Sequence, residues 1–231
     1  MEKKKRILII TDSISIPRPG IPYEDTWIFH FKNEFSHCDI IDRPMRGATT
    51  ARLVTEGGGG ADLLEFYTPD IVIIQMGLEE CAPRLFKKTG FEHFFMHSIL
   101  PKRFLNRYIS FIKKRRVRMP DCTEIDHSVT ENNIRTYIER CRKHGTKIVY
   151  LKIHRACDYY RSKSPFVQQN ISGFNNMLEH FAAVYDNVTL ADPVKDFHDI
   201  NRLCIDELHV NADGHFLYFS EISDIVRRML T

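Results

Sequence analysis

Five short runs of aliphatic and β-branched residues, separated by stretches of helical periodicity, constrain this chain more than any other feature. They are residues 6–11 (Arg-Ile-Leu-Ile-Ile-Thr), 39–43, 70–75 (Asp-Ile-Val-Ile-Ile-Gln), 147–152 and 188–191. The clearest of these are continuously apolar, as a strand buried on both faces must be, and do not alternate as a half-exposed strand does. Helical spacing is evident at 24–35, where Trp27, Ile28, Phe31 and Phe35 recur, and at 166–185. In the closing segment Phe216, Phe219, Ile222, Ile225, Val226 and Met229 are expected on one helix face. A shorter helix is expected at 61–67, after the four glycines 57–60. Strand and helix alternate from end to end. This order predicts an α/β fold, a three-layer doubly wound sandwich around a five-stranded parallel sheet. Ligands of such sheets sit outside the carboxyl ends of the strands, so the residues just after each run are the ones to inspect. The chain reads as a single domain over 1–231, with residues from about 84 to 130 forming an inserted helical lobe.

Charge and cysteine content narrow the function classes. A formal net charge of +3 over 231 residues gives no reason to expect a nucleic-acid binder. The basic stretch Lys3-Lys4-Lys5-Arg6 precedes only the short apolar run Ile7 to Ile10, and Asp12 closes it, which is too little for a secretory signal. No segment approaches the ~18 apolar residues of a membrane span. The expected location is cytoplasmic. Cys38, Cys81, Cys122, Cys141, Cys157 and Cys204 are scattered with no C-x-x-C pair, which argues against a zinc site built on paired cysteines and for free thiols. No metal or organic cofactor is expected.

Two segments carry candidate chemistry. The first strand run ends in Thr11-Asp12-Ser13-Ile14-Ser15, placing a serine at the ligand edge of the sheet. A free hydroxyl is a weak nucleophile and needs a base beside it; the bland alternative is that Ser13 caps a turn or helix. Near the other end stands Asp206-Glu207-Leu208-His209. An Asp three residues before a His can hold the imidazole through Nδ1 and leave Nε2 free to take a proton from serine. Asn211 or Asp213 is placed to cap the final helix.

Together these residues resemble the SGNH/GDSL hydrolase family. Thr11-Asp12-Ser13-Ile14-Ser15 is similar to the family's first block, Gly-Asp-Ser-Leu-Ser, with Thr in place of Gly. Asp206-Glu207-Leu208-His209 resembles its last block. Gly47, in Arg46-Gly47-Ala48-Thr49-Thr50, matches the second-block glycine, and Gly77-Leu78-Glu79-Glu80 stands where the third block, usually Gly-x-Asn-Asp, is found. The resemblance implies a flavodoxin-like sheet, a catalytic set of Ser13, Asp206 and His209, and an oxyanion hole formed by the backbone N–H groups of Ser13 and Gly47. It also exposes a departure. The family uses the third-block Asn as an oxyanion donor, whereas Glu79 occupies that position and a carboxylate cannot donate. Arg84, Thr49 or Thr50 are candidate replacement donors. The run ending Cys81-Ala82-Pro83-Arg84 resembles a variant third block of members linked to surface-polysaccharide synthesis.

Further candidates surround this set. Glu79, Arg84, His154 and Thr49 are the expected substrate-binding residues; Arg84 suits a carboxylate or phosphate, or an ion pair with Glu79 or Glu80. Arg155 follows the fourth strand beside His154. The basic segment 102–118 reads either as a solvated helix with one packed stripe or as a basic lid over an anionic substrate or membrane surface. The expected activity is that of a serine esterase or deacylase on an acylated small molecule or carbohydrate, through an acyl-enzyme on Ser13. An O-acyltransferase in surface-polysaccharide synthesis would use the same residues. Two other readings are a catalytically impaired member that binds a glycan or partner, and a metal or acid/base site of Glu79, Glu80 and His209.

Overall fold

In the computed structural model, the described residues are 4–55, 63–83, 102–116, 123 and 125–231. Five strands, β1 (Arg6–Thr11), β2 (Asp39–Pro44), β3 (Ile71–Gln75), β4 (Lys147–Leu151) and β5 (Val188–Ala191), form one sheet in the order β2-β1-β3-β4-β5. Every neighbouring pair is parallel. This is the flavodoxin-like order of a doubly wound sheet, with its switch point between β1 and β3. The middle strands are apolar because both faces are covered: Ile7, Leu8, Ile9, Ile10, Val72, Ile73 and Ile74 have no exposed surface.

One face is covered by the helices Trp27–Glu34 and Ala212–Leu230, which pack on each other. The other carries the helices His127–Lys143 and Val167–Val184, joined by the Arg135 guanidinium over the Phe181 ring and by the Tyr185 hydroxyl donating to Glu139. Each helix is bounded by its own sequence. Thr26 caps the first by accepting from the Phe29 N–H at 3.4 Å, so the stretch expected at 24–35 divides into a short 3-10 turn, Tyr23–Asp25, and the helix proper. Asn211 caps the last by accepting from the Gly214 N–H at 3.0 Å.

Three expectations need correction. In the last helix the buried stripe runs through His215, Tyr218, Ile222, Ile225 and Val226, whereas Phe216 is 57% exposed. Phe216 lies one residue, or about 100° of helix rotation, off that stripe. The helix expected at 61–67 falls partly outside the described residues, and residues 63–67 form a turn. The lobe expected to run to about 130 overlaps the helix His127–Lys143, which packs on the Thr50–Leu53 turn and β4.

Within the segment expected as a lobe, the helix Lys102–Arg116 half-buries Leu105, Tyr108, Ile109 and Ile112, a stripe at i, i+3, i+4, i+7. Phe104 and Phe111 are exposed. Cys38, Cys81, Cys141, Cys157 and Cys204 are free thiols, and Cys122 lies outside the described residues.

Candidate active site

The register of the sheet aligns the carboxyl ends of the first three strands, with Thr11 opposite Pro44 on one side and Gln75 on the other. The chain leaving β1 is held at once by its neighbours. The Asp12 N–H donates to the Gln75 carbonyl at 2.9 Å, and the Met45 N–H donates to the Thr11 carbonyl at 3.0 Å. Asp12 turns inward and its Oδ1 accepts from the Ile14 N–H at 2.9 Å, capping the 3-10 turn Ser13–Ser15. Ser15 Oγ donates to Thr11 Oγ1 at 2.6 Å. Ser13 is thus flanked by residues fixed through hydrogen bonds, and it is itself half-buried. Burial pushes the Asp12 carboxyl up to about 7, against the pull of the Ile14 N–H.

The loop before the last helix supplies the partner. Its ends are pinned by Asn211 N–H donating to Leu203 carbonyl at 2.7 Å and Ile205 N–H to His209 carbonyl at 2.8 Å. Gly214 lets the helix start tightly against this loop, since a Cβ there would sit 2.5 Å from Val210 Cβ. Asp206 Oδ1 accepts the N–H groups of Leu208 and His209, each at 2.8 Å, so the carboxylate folds its own loop. The His209 Nδ1 lies 2.8 Å from both Asp206 oxygens, and its Nε2 lies 3.1 Å from Ser13 Oγ. The carboxylate makes Nδ1 the N–H donor, which leaves the Nε2 lone pair for the serine proton. Burial raises the Asp206 carboxyl, but the two backbone donors and the imidazole outweigh it and hold it below its ordinary value. Burial pushes His209 below the usual imidazole value, Asp206 opposes the shift, and the positive charges of Arg18 and Arg46 add to it. These influences favour the neutral form of His209.

Arg18 is the residue that sequence reasoning missed. Its guanidinium Nη2 makes a short hydrogen-bond contact with His209 Nε2, the atom that also faces Ser13. The backbone explains how it arrives there. Arg18-Pro19-Gly20-Ile21 is a tight turn closed by Arg18 N–H to Ile21 carbonyl at 3.0 Å and Ile21 N–H to Arg18 carbonyl at 2.9 Å. Pro presets the second position and Gly20, at φ 85°, supplies the left-handed third position. Pro-Gly is a readable turn signal, but nothing in it tells where the side chain before it will point.

The remaining candidates divide. Gly47 stands just beyond β2, the strand beside β1, at φ 62° in a turn closed by Ala48 N–H donating to Met45 carbonyl at 3.3 Å. Thr49 is half-buried at the start of the Thr50–Leu53 turn. Glu79 is half-buried on the short helix Leu78–Cys81, next to β3. The fully enclosed third-block carboxylate is Glu80, 1% exposed, which accepts from the Thr50 N–H in a short contact and so ties this block to the second-block loop. Arg84 lies outside the described residues, as does part of the basic segment 102–118. His154 does not face an open cleft as expected. It is 4% exposed with Nδ1 2.9 Å from the Tyr218 hydroxyl, and burial pushes its imidazole down to about 4. Arg155 is spent on the loop after β5, donating to the Phe197 carbonyl at 2.7 Å and to the His198 carbonyl. Among the described residues no group of three or more His, Cys, Asp or Glu side chains converges as a metal site, and no helix is long and apolar enough to cross a membrane.

The chain matches no protein-family model and no curated protein. Solved structures do match over nearly its full length. It is similar to a GDSL-like lipase from Bacteroides thetaiotaomicron at 13% identity and a TM-score of 0.59, covering 97% of this chain and 89% of that one. It is similar to an acetylxylan esterase from Geobacillus stearothermophilus, solved as a catalytic mutant, at 12% identity and a TM-score of 0.62, covering 97% and 94%. A third, a psychrotrophic esterase from Pseudoalteromonas sp. inhibited by monoethylphosphonate, matches at 16% identity and a TM-score of 0.54, covering 98% and 99%. The fold of this chain is accordingly that of the SGNH/GDSL-type lipases and esterases.

Proposed function

We propose that the protein is a serine ester hydrolase of the SGNH/GDSL type acting on an acylated small molecule or carbohydrate. The observation that carries the proposal is the continuous chain Ser13 Oγ, His209 Nε2, His209 Nδ1, Asp206, at distances of 3.1 and 2.8 Å, on the carboxyl edge of the sheet. Ser13 Oγ attacks the acyl carbonyl as Nε2 takes its proton, and Asp206 stabilises the imidazolium. The tetrahedral oxyanion is met by backbone N–H groups of Ser13 and Gly47. The imidazolium then protonates the leaving alkoxide as its C–O bond breaks, leaving the acyl group on Ser13. Water, deprotonated by the same Nε2, releases the acid. No step requires a metal. Transfer of the acyl group to a sugar hydroxyl would use the same atoms, and no particular contact favours it over hydrolysis.

The neighbours support this reading through their stated activities, which include hydrolysis of acetylxylan. Hydrolysis of short-chain aryl esters tests it. The wild-type protein should turn over 4-nitrophenyl acetate, and Ser13→Ala should lower kcat by about 10⁴-fold or more. A folded wild-type protein whose rate matches that of Ser13→Ala would overturn the proposal and leave a catalytically impaired binding member as the reading.

A further inference from the structure

His209 Nε2 has one in-plane lone pair, yet two donors converge on it: the Ser13 hydroxyl and the Arg18 guanidinium. A guanidinium stays protonated at any working pH, so it cannot accept the serine proton. While Arg18 holds Nε2, the base is occupied, and an imidazolium formed there would face a second cation. Arg18 must move for the chemistry of the proposed function to run.

Its surroundings indicate what would move it. Among the described residues, neither Arg18 nor Arg46 forms an ion pair. The Nε of Arg18 is buried without a hydrogen-bond partner. Asp206 and Asp12 both attract Arg18, but the Asp206 oxygens already serve His209 Nδ1 and two backbone N–H groups, and Asp12 Oδ1 accepts from the Ile14 N–H. Arg18 thus sits against His209 with no ion pair among the described residues. A planar fork with an idle N–H is built for a bidentate anion, and a charge-assisted bond of that kind is roughly twice as strong as one to a neutral acceptor such as imidazole.

The side of the substrate follows from the chemistry. Nε2 hands its proton to the leaving oxygen, so a group that sits against Nε2 lies on the alcohol side of the ester.

Resting on the esterase reading, we propose that Arg18 recognises an anionic group on the alcohol part of the substrate, an O-acylated sugar acid or sugar phosphate in chemical class. Arg18 is both specificity residue and latch. In the free protein it occupies His209 Nε2, and the substrate's carboxylate or phosphate draws it away and frees the base.

Three matched aryl acetates test this: 4-acetoxybenzoate, 4-acetoxyphenyl phosphate and the neutral 4-acetoxybenzamide. The wild-type protein should favour at least one anionic ester over the neutral one by about 10- to 100-fold in kcat/KM, the range expected for hydrogen bonds to a charged group. The larger preference tells carboxylate from phosphate. Arg18→Gln should abolish most of that preference while raising turnover of the neutral ester, and Arg18→Lys should retain part of it. A merely structural role for Arg18 would depress all three esters alike, and that result overturns the proposal. Ser13-dependent hydrolysis of all three at similar kcat/KM overturns it too and leaves the esterase reading standing. Failure of all three, together with failure on 4-nitrophenyl acetate, removes both.

Discussion

At the scale of single residues, the environment of each ionisable group sets its task. His209 is held below the ordinary imidazole value by burial, against Asp206 and with help from Arg18 and Arg46. A base is active when deprotonated, so kcat/KM for a neutral ester should rise with pH and level off through an inflection below 6.5, the free imidazole value. An inflection above that value would contradict the account. Asp12 is the opposite case. Its folded pKa is raised from 3.8 to about 7, so its protonated form is the one the fold favours. The resulting stability is full below about 3.8 and is lost as pH climbs through about 7. Asp12→Asn keeps an acceptor for the Ile14 N–H but cannot ionise. Urea titrations should show it gaining on wild type across that window, by at most about 1.4 kcal/mol per pH unit. Equal pH slopes for the two proteins would refute the assignment. The same variant should leave the inflection of the rate profile in place, which separates Asp12 from His209. The contact of Asp206 with His209 was legible in their three-residue offset, and that of Ser13 with His209 in the family resemblance. The contact of Arg18 was not, because the Pro19-Gly20 signal tells where the backbone reverses and not where the side chain before it points. His154 was misread for a related reason: a strand's carboxyl end fixes where the backbone goes, whereas Tyr218, from the last helix, decides that this side chain is enclosed.

At the scale of elements, the site is a set of loops held by close backbone approaches. Gly77 links β3 to the helix Leu78–Cys81 at φ 121°, and a Cβ on it would lie 2.1 Å from the Phe174 ring. Both conditions exclude a side chain. Gly77→Ala should therefore cost about 3 kcal/mol or more, combining a left-handed backbone penalty with overpacking. A fall in Tm should report it, and the displaced helix should loosen the Glu80 bond to the Thr50 N–H. A Tm within a degree or two of wild type would show that Phe174 can yield. β1, β3 and β4 were readable almost to the residue from their continuous apolar runs, whereas β2 and β5 are partly exposed and carry a weaker signal. Helix ends were less so: Thr26 caps one turn later than the apolar spacing suggested, and Phe216 falls just off the buried stripe. The helix His127–Lys143 escaped notice because its buried face includes Thr130, Asn133 and Cys141 as well as Ile134, Tyr137 and Ile138, which dilutes the apolar period.

At the scale of the whole molecule, the order β2-β1-β3-β4-β5 explains why residues so far apart meet. Parallel strands put every carboxyl end on one edge, so the end of β1 and the loop after β5 face each other across it although 196 residues separate Ser13 from His209. In the proposed mechanism this meeting activates Ser13. Labelling with a fluorophosphonate probe, followed by peptide mapping, tests it most directly, comparing wild type with Ser13→Ala and His209→Ala. The account predicts a single adduct on Ser13 of the wild-type protein, absent from both variants. A folded wild-type protein that takes no label, or an adduct that persists in His209→Ala at the wild-type rate, would contradict it.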